Sequence, residues 1–240
     1  MNNLPQNTKG IIFDYGGTID TDGKHWSEVI WNAYLANGVT IDKRLFRLAY
    51  VHGERSLAKF QLIKPEHNFL DLLKIKINIQ TSFLVDASMW PDMEGYETER
   101  KEISENIAQW CYNFVKGNLK ISEPVLRELK TNFPLVLVSN FYGNIEAVLN
   151  DFGINLFDAI IESSVVGVRK PNPEIFRLGA KALNISTDQI LVIGDSYDKD
   201  IIPANSIGCN TIWLKGTAWN ADDNYDESIP YRIITSINQL

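Results

Sequence analysis

Residues 11–18 read Ile11-Ile12-Phe13-Asp14-Tyr15-Gly16-Gly17-Thr18. Three apolar residues give a short buried-strand signal that stops at a carboxylate and a glycine turn. In an open α/β sheet, ligands bind beyond the carboxyl ends of the strands. Asp14 therefore stands where a nucleophilic carboxylate is useful, and Gly16-Gly17-Thr18 lets backbone N–H groups approach a phosphate. An Asp capping a strand before a turn reads the same way, so this stretch alone does not decide between the two.

Downstream the pattern recurs. Residues 134–138 (PLVLV) end in Ser139-Asn140, and residues 190–193 (ILVI) end in Gly194-Asp195. Residues 159–161 and 211–214 (TIWL) supply two more strand candidates. Helical spacing occupies residues 123–132, 144–151, 174–183 and 200–206, with Pro173 suited to the first turn of the third. Strands alternating with helices predict an α/β fold with a mostly parallel sheet.

The strand ends carry compatible chemistry. Ser139 and Asn140 offer donors for a phosphate oxygen, although such pairs are also ordinary turn material. Lys170, in Gly167-Val168-Arg169-Lys170-Pro171, can neutralise a phosphoryl group and a nucleophile. In the stretch GDSYDKD, Asp195 and Asp200 can present two carboxylates to one hard cation, for which Mg²⁺ with its oxygen ligands is the natural choice. Asp198 between them reads as a helix-start residue. A nucleophile, a phosphate donor, a cation and a metal pair follow one another along the chain.

Residues from about 25 to 117 read differently. Trp26, Ile30 and Tyr34 share one helical stripe, as do Ile103, Ile107, Trp110 and Phe114. Residues 45–60 and 68–83 are also helical in pattern, so this stretch is an all-helical insertion between the first two strands. Trp26, Trp31, Trp90 and Trp110, four of the six tryptophans, lie in it and are expected mainly as core.

Composition sets the outer bounds. The 240 residues are 45% hydrophobic, enough for a packed core. Thirty acidic against 23 basic residues leave a net charge of −7, which argues against a nucleic-acid partner. Cys111 and Cys209 are too few for a disulfide framework and read as buried packers. With no signal-peptide pattern or membrane-length apolar run, a cytoplasmic protein without a membrane partner is expected. The sequon at Asn184-Ile185-Ser186 is then a chance match.

The order of these motifs resembles the haloacid dehalogenase superfamily. Phe13 to Ile19 looks like its first motif, Val138-Ser139-Asn140 its second, Arg169-Lys170-Pro171-Asn172-Pro173 its third, and Ile193-Gly194-Asp195-Ser196 through Asp200 its fourth. The resemblance covers residues 8–22 and 118–240. It implies a Rossmann-like α/β core over residues 1–22 and 118–240, with helices on both faces of the sheet. It also implies a mobile helical cap over residues 23–117. The implied activity is a Mg²⁺-dependent phosphatase of a small phosphorylated metabolite, working through an aspartyl-phosphate on Asp14. Asp14, the Gly16 carbonyl, Asp195 and Asp200 would hold the metal. Ser139, Asn140, Gly17, Thr18 and Lys170 would hold the phosphoryl group, with Lys170 also catalytic.

At Gly16 the chain departs from the pattern, since phosphatases of that family usually carry there the Asp that protonates the leaving group. Losing a general acid/base costs roughly 10²–10⁴-fold in rate. Asp20, Asp22 and His25 are sequence-near substitutes. A non-catalytic binding protein, or a hydrolase of phosphonates or haloacids, stays open as an alternative.

Overall fold

A computed structural model of the chain describes residues 4–90, 96–216 and 225–240. It falls into two compact units: Met1–His25 with Lys116–Gly143 and Gly153–Leu240, and Trp26–Val115 with Asn144–Phe152.

The first unit is built on a six-stranded parallel sheet. Its strands are β1 (Gly10–Phe13), β2 (Leu135–Ser139), β3 (Ala159–Glu162), β4 (Ile190–Gly194), β5 (Asn210–Leu214) and β6 (Arg232–Ile234), in the order β3-β2-β1-β4-β5-β6. Every pairing is parallel, with Ile12 facing Val136 on one side and Val192 on the other. Strands buried on both faces need continuous apolar runs, and GIIF, LVLVS and ILVIG supply them; all of their residues are buried. The chain leaves β1 for one flank of the sheet and returns from β3 to the other, so β1 marks the switch point where such sheets bind ligands.

Five strands match the sequence reading to within a residue or two at each end. The sixth, β6, is only three residues long and follows Pro230-Tyr231, so it gives no periodic signal. On one face of the sheet, Ile12, Val136, Val138 and Val192 pack with Ile175, Phe176 and Ala180 of helix Glu174–Leu183, and with Ala204 and Cys209. Both cysteines are free and buried, as packers should be.

The helices, in chain order, are α1 (Trp26–Ala36), α2 (Lys43–Lys59), α3 (Phe69–Asp86), α4 (Tyr96–Lys130), α5 (Ile145–Asp151), α6 (Ser163–Val166), α7 (Glu174–Leu183) and α8 (Ile202–Ser206). Among the described residues, the regular elements of the second unit are all helices. Asn68 starts α3 with a capping box: its side chain accepts from Asp71 N at 2.9 Å, while Asp71 accepts from Asn68 N at 3.2 Å. Tyr34, Phe46, Leu72, Leu73, Ile77, Ile107 and Cys111 are buried in this unit.

Three local readings shift. Residues 103–114 and 123–132, read as separate helices, fall, up to Lys130, in the single 35-residue α4, which continues through Pro124. An interior proline costs about 3 kcal/mol. Leu119, Leu126 and Leu129 on the same half of the helix are buried at roughly 1.5–3 kcal/mol each, so packing outweighs the break. The buried stripe of α4 is Ile107, Ala108, Cys111 and Val115, turned slightly from the expected one. Trp110 and Phe114 instead stack half-buried at 5.7 Å. Of the four tryptophans expected mainly as core, Trp90 is buried and Trp26, Trp31 and Trp110 are half-buried. Finally, α5 follows β2 in the chain yet groups with the helical unit. There Phe152 meets Phe69 at 5.5 Å and Tyr112 at 5.2 Å, and Asn144 Nδ2 donates to the His67 carbonyl at 2.8 Å.

Candidate active site

Asp14 is the first residue beyond β1, and its N–H still donates to the Ile193 carbonyl of β4 at 2.9 Å. That bond fixes a buried carboxylate between the two central strands. Its Oδ1 accepts from Lys170 Nζ at 2.5 Å, and its Oδ2 from the Thr18 hydroxyl at 3.1 Å. Lys170 is itself buried and donates to Asp200 Oδ1 at 2.7 Å, with its ammonium 5.7 Å from the centre of the Phe176 ring.

Asp195 and Asp200 come from the end of β4. The chain folds back there through a π-helical turn, Tyr197–Ile201, in which Asp200 N donates to Ser196 O at 2.8 Å and Ser196 N to Asp200 Oδ2 at 3.0 Å. Gly194 makes this possible, because a Cβ there would lie 2.5 Å from Asp200 Cβ. The Asp195 backbone is held from both directions. Its N–H donates to Thr18 Oγ1 at 3.0 Å, and its carbonyl accepts from Trp213 Nε1 of β5 at 2.8 Å. Asp198 is exposed, as a helix-start residue would be.

Asp14, Asp195 and Asp200 each bring one carboxylate oxygen within 4.8 Å of the others. Three carboxyl groups gather beside one ammonium, which pairs with two of them, Asp14 and Asp200. The proton affinities follow from that crowding. Burial, then the Asp14 and Asp200 charges, push Asp195 well above the usual carboxylate range. Burial also pushes Asp200 up to about 6, against the opposing pull of Lys170. For Lys170, burial alone would lower the ammonium, but the facing Asp14 and Asp200 carboxylates override it and raise its pKa. An all-oxygen, anionic and under-compensated donor set suits a hard divalent cation.

The glycine turn divides its tasks. Gly17 carries a φ of +102°, and a Cβ there would come within 2.3 Å of Asp195 Oδ2, so this position admits only glycine. Gly16 is exposed and has no such φ. The backbone therefore does not demand glycine at Gly16. The Gly17 N–H, expected for phosphate, donates to Asp20 Oδ1 at 2.7 Å. The Thr18 hydroxyl lies 3.1 Å from Asp14 Oδ2 and 3.3 Å from Asp195 Oδ1, where it bridges carboxylates.

Ser139 is buried at the carboxyl end of β2. Asn140, expected to donate to phosphate, commits its carboxamide to Lys170: Oδ1 accepts from Lys170 N at 2.9 Å, and Nδ2 donates to Lys170 O at 3.0 Å. The Lys170–Pro171 peptide that follows is cis. Sequence reasoning missed the Asn140 clamp, the Thr18 bridge and Trp213. Thr18 and Asn140 lie inside the motifs but read there as phosphate ligands, whereas Trp213 carries no signal beyond its place in a strand. The sequence-near carboxylates also resolve: Asp20 is bound to Gly17, and Asp22 accepts from Ser236 Oγ and Ile237 N, both at 2.7 Å. His25 is half-buried at the end of the sheet unit's first segment.

The chain is similar to a glyceraldehyde 3-phosphate phosphatase of Pyrococcus furiosus, 36% identical over 93 residues that cover 38% of this chain and 37% of that protein. It is also similar to a 5-amino-6-(5-phospho-D-ribitylamino)uracil phosphatase of Escherichia coli, 29% identical over 108 residues, or 43% of this chain and 44% of that one. The aligned stretches thus span less than half of these curated relatives. Among solved structures, a dehalogenase with an intermediate complex shares the fold, with a TM-score of 0.62 at 14% identity over 98% of this chain and 96% of that one. The family model for haloacid dehalogenase-like hydrolases matches residues 8–208, and the chain belongs to that family.

Proposed function

We propose that the chain is a Mg²⁺-dependent phosphatase of a small phosphorylated metabolite, with Asp14 as nucleophile. The observation that carries this reading is the Asp14 carboxylate itself: buried, held by Lys170 at 2.5 Å, and gathered with Asp195 and Asp200. Asp14, Asp195 and Asp200, with the Gly16 carbonyl, would hold the cation. When bound, it would supply positive charge to offset the carboxylates and the substrate phosphate.

An Asp14 oxygen attacks phosphorus, the bond to the leaving oxygen breaks, and an aspartyl-phosphate forms. Water then adds to that phosphorus, freeing phosphate and regenerating the carboxylate. Lys170 and Ser139 hold phosphoryl oxygens, and Lys170 also orients Asp14. Thr18 fixes Asp14 and Asp195 relative to each other. The names of the aligned relatives, phosphatases of small phosphorylated compounds, support the substrate class. A cytoplasmic setting fits two buried free thiols, and no described helix is long and apolar enough to cross a membrane.

One observation favours a second reading, a binding protein without turnover: Gly16 brings no side chain to the site. Hydrolysis of p-nitrophenyl phosphate with Mg²⁺ or EDTA, by the native protein and by Asp14→Asn, separates the two. The phosphatase reading expects Mg²⁺-dependent turnover that Asp14→Asn abolishes. Silence in the native protein, with activity gained in Gly16→Asp, would favour the second.

A further inference from the structure

Resting on the phosphatase reading, we propose that the substrate carries its phosphate on an acidic oxygen, as an acyl, enol or aryl phosphate, and that this oxygen departs unprotonated. Asp14, Asp195 and Asp200 form the carboxylate cluster. Lys170 is clamped between two of them, at 2.5 Å from Asp14 and 2.7 Å from Asp200, so its ammonium is engaged as a charge partner of the cluster.

The next two carboxylates along the chain are tied to the protein's own groups. Asp20 is 1% exposed and accepts the Gly17 N–H, which braces the turn beside the nucleophile. Asp22 gives one oxygen to Ser236 Oγ and the other to Ile237 N. Gly16, the exposed position between nucleophile and turn, carries no side chain, and its φ lies outside the left-handed region that favours glycine. The described sheet unit thus provides attack, charge and anchoring, but its nearest carboxylates are committed elsewhere.

With no donor among these described groups, the electron pair of the broken P–O bond rests on the leaving oxygen. That is tolerable for a carboxylate or phenolate, whose acids have pKa values of about 4 and about 10. It is costly for an alkoxide, whose acid is close to water at about 15.7. In the second step no separate base is required for balance. Water adds to the aspartyl-phosphate dianion, both of its protons finish on the phosphate, and Asp14 leaves as a carboxylate.

The test measures kcat/KM, which reports the step that expels the leaving group, for acetyl phosphate, a series of substituted phenyl phosphates and simple alkyl phosphates, all with Mg²⁺. Gly16→Asp and Asp20→Asn are assayed alongside, with circular dichroism as the check on folding. The expected result is a steep fall with rising leaving-group pKa, leaving the alkyl esters at least roughly 10²-fold behind. In Gly16→Asp the alkyl-to-aryl ratio should rise by roughly 10²–10⁴-fold. Acetyl phosphate against the aryl series tells which acidic oxygen the site prefers.

Alkyl esters turned over as fast as aryl ones by the native protein would overturn the proposal while leaving the phosphatase reading intact. A selective loss of alkyl turnover in Asp20→Asn would also overturn it, by assigning the missing proton to Asp20. No Asp14-dependent turnover of any member, acetyl phosphate included, would sink both readings. Should Gly16→Asp fail to fold, the native slope decides alone.

Discussion

Asn140 grips Lys170 by its peptide groups, accepting its N–H at 2.9 Å and donating to its carbonyl at 3.0 Å across 30 residues of chain. The clamp joins the end of β2 to the residue whose ammonium links Asp14 and Asp200. A misplaced ammonium costs electrostatic stabilisation in the reaction more than it costs the fold.

Asn140→Ala should therefore lower kcat by about 10–100-fold, at roughly one neutral hydrogen bond's worth of stability per bond lost, ~1 kcal/mol. Asn140→Asp keeps the acceptor and should recover part of the rate. Steady-state kinetics beside denaturant melts checks both; a loss of stability without a loss of kcat would refute the positioning role.

Gly17→Ala forces a methyl group to within 2.3 Å of Asp195 Oδ2 at a φ of +102°. Displacing Asp195 from the cluster should weaken Mg²⁺ binding and abolish most turnover, at a stability cost of about 1–3 kcal/mol. Isothermal titration with Mg²⁺ is the direct measurement, and unchanged affinity would contradict the assignment.

The carboxylate cluster makes the cation-free protein sensitive to both metal and pH. Saturating Mg²⁺ should raise Tm, by the equivalent of about 2.7 kcal/mol at a hundred times Kd. Asp195→Asn should remove most of that rise. The sign of the pH effect follows from Asp200, raised to about 6 from 3.8. The folded state holds that proton more tightly than the unfolded chain does, so the Asp200 contribution stabilises below 3.8 and is lost as pH climbs through about 6. Mg²⁺ needs the deprotonated ligands. Its stabilising increment should accordingly be larger at pH 7 than at pH 5, which melting curves at the two values would show.

Asp22 has a φ of +50° and anchors the C-terminal 3₁₀ turn through Ser236 and Ile237. Asp22→Ala loses both charge-assisted bonds and places alanine in the left-handed region, for a cost of about 2–4 kcal/mol. Asp22→Asn, which tolerates that backbone and keeps an acceptor, should cost less. Turnover per folded molecule should not change in either. A specific loss of activity would return Asp22 to the chemistry.

Local pattern was enough to read much of this protein. Apolar runs such as Ile11 to Phe13 and Leu191 to Ile193, closed by glycine-bearing turns, read as buried strands, and each leads to a carboxylate at the strand end. Asp14 and Asp195 close such runs and, with Lys170 and Asp200, are legible as a set from residue type and motif order, as is the helical character of residues 26–90. What the sequence could not supply was the use each polar group makes of distant partners. Asn140 and Lys170 meet across 30 residues, Thr18 and Asp195 across 177, and Asp22 and Ser236 across 214. Hydrogen bonds over such separations exist only after the sheet has set its strand order, and nothing in local periodicity encodes it. The same limit applied to β6, which is too short to show a pattern and is recruited by pairing with β5. Sequence alone determined which chemical groups stand at the strand ends, because residue type and strand ends are local. Only tertiary structure decided which carboxylates remain for that chemistry and which are spent on holding the fold.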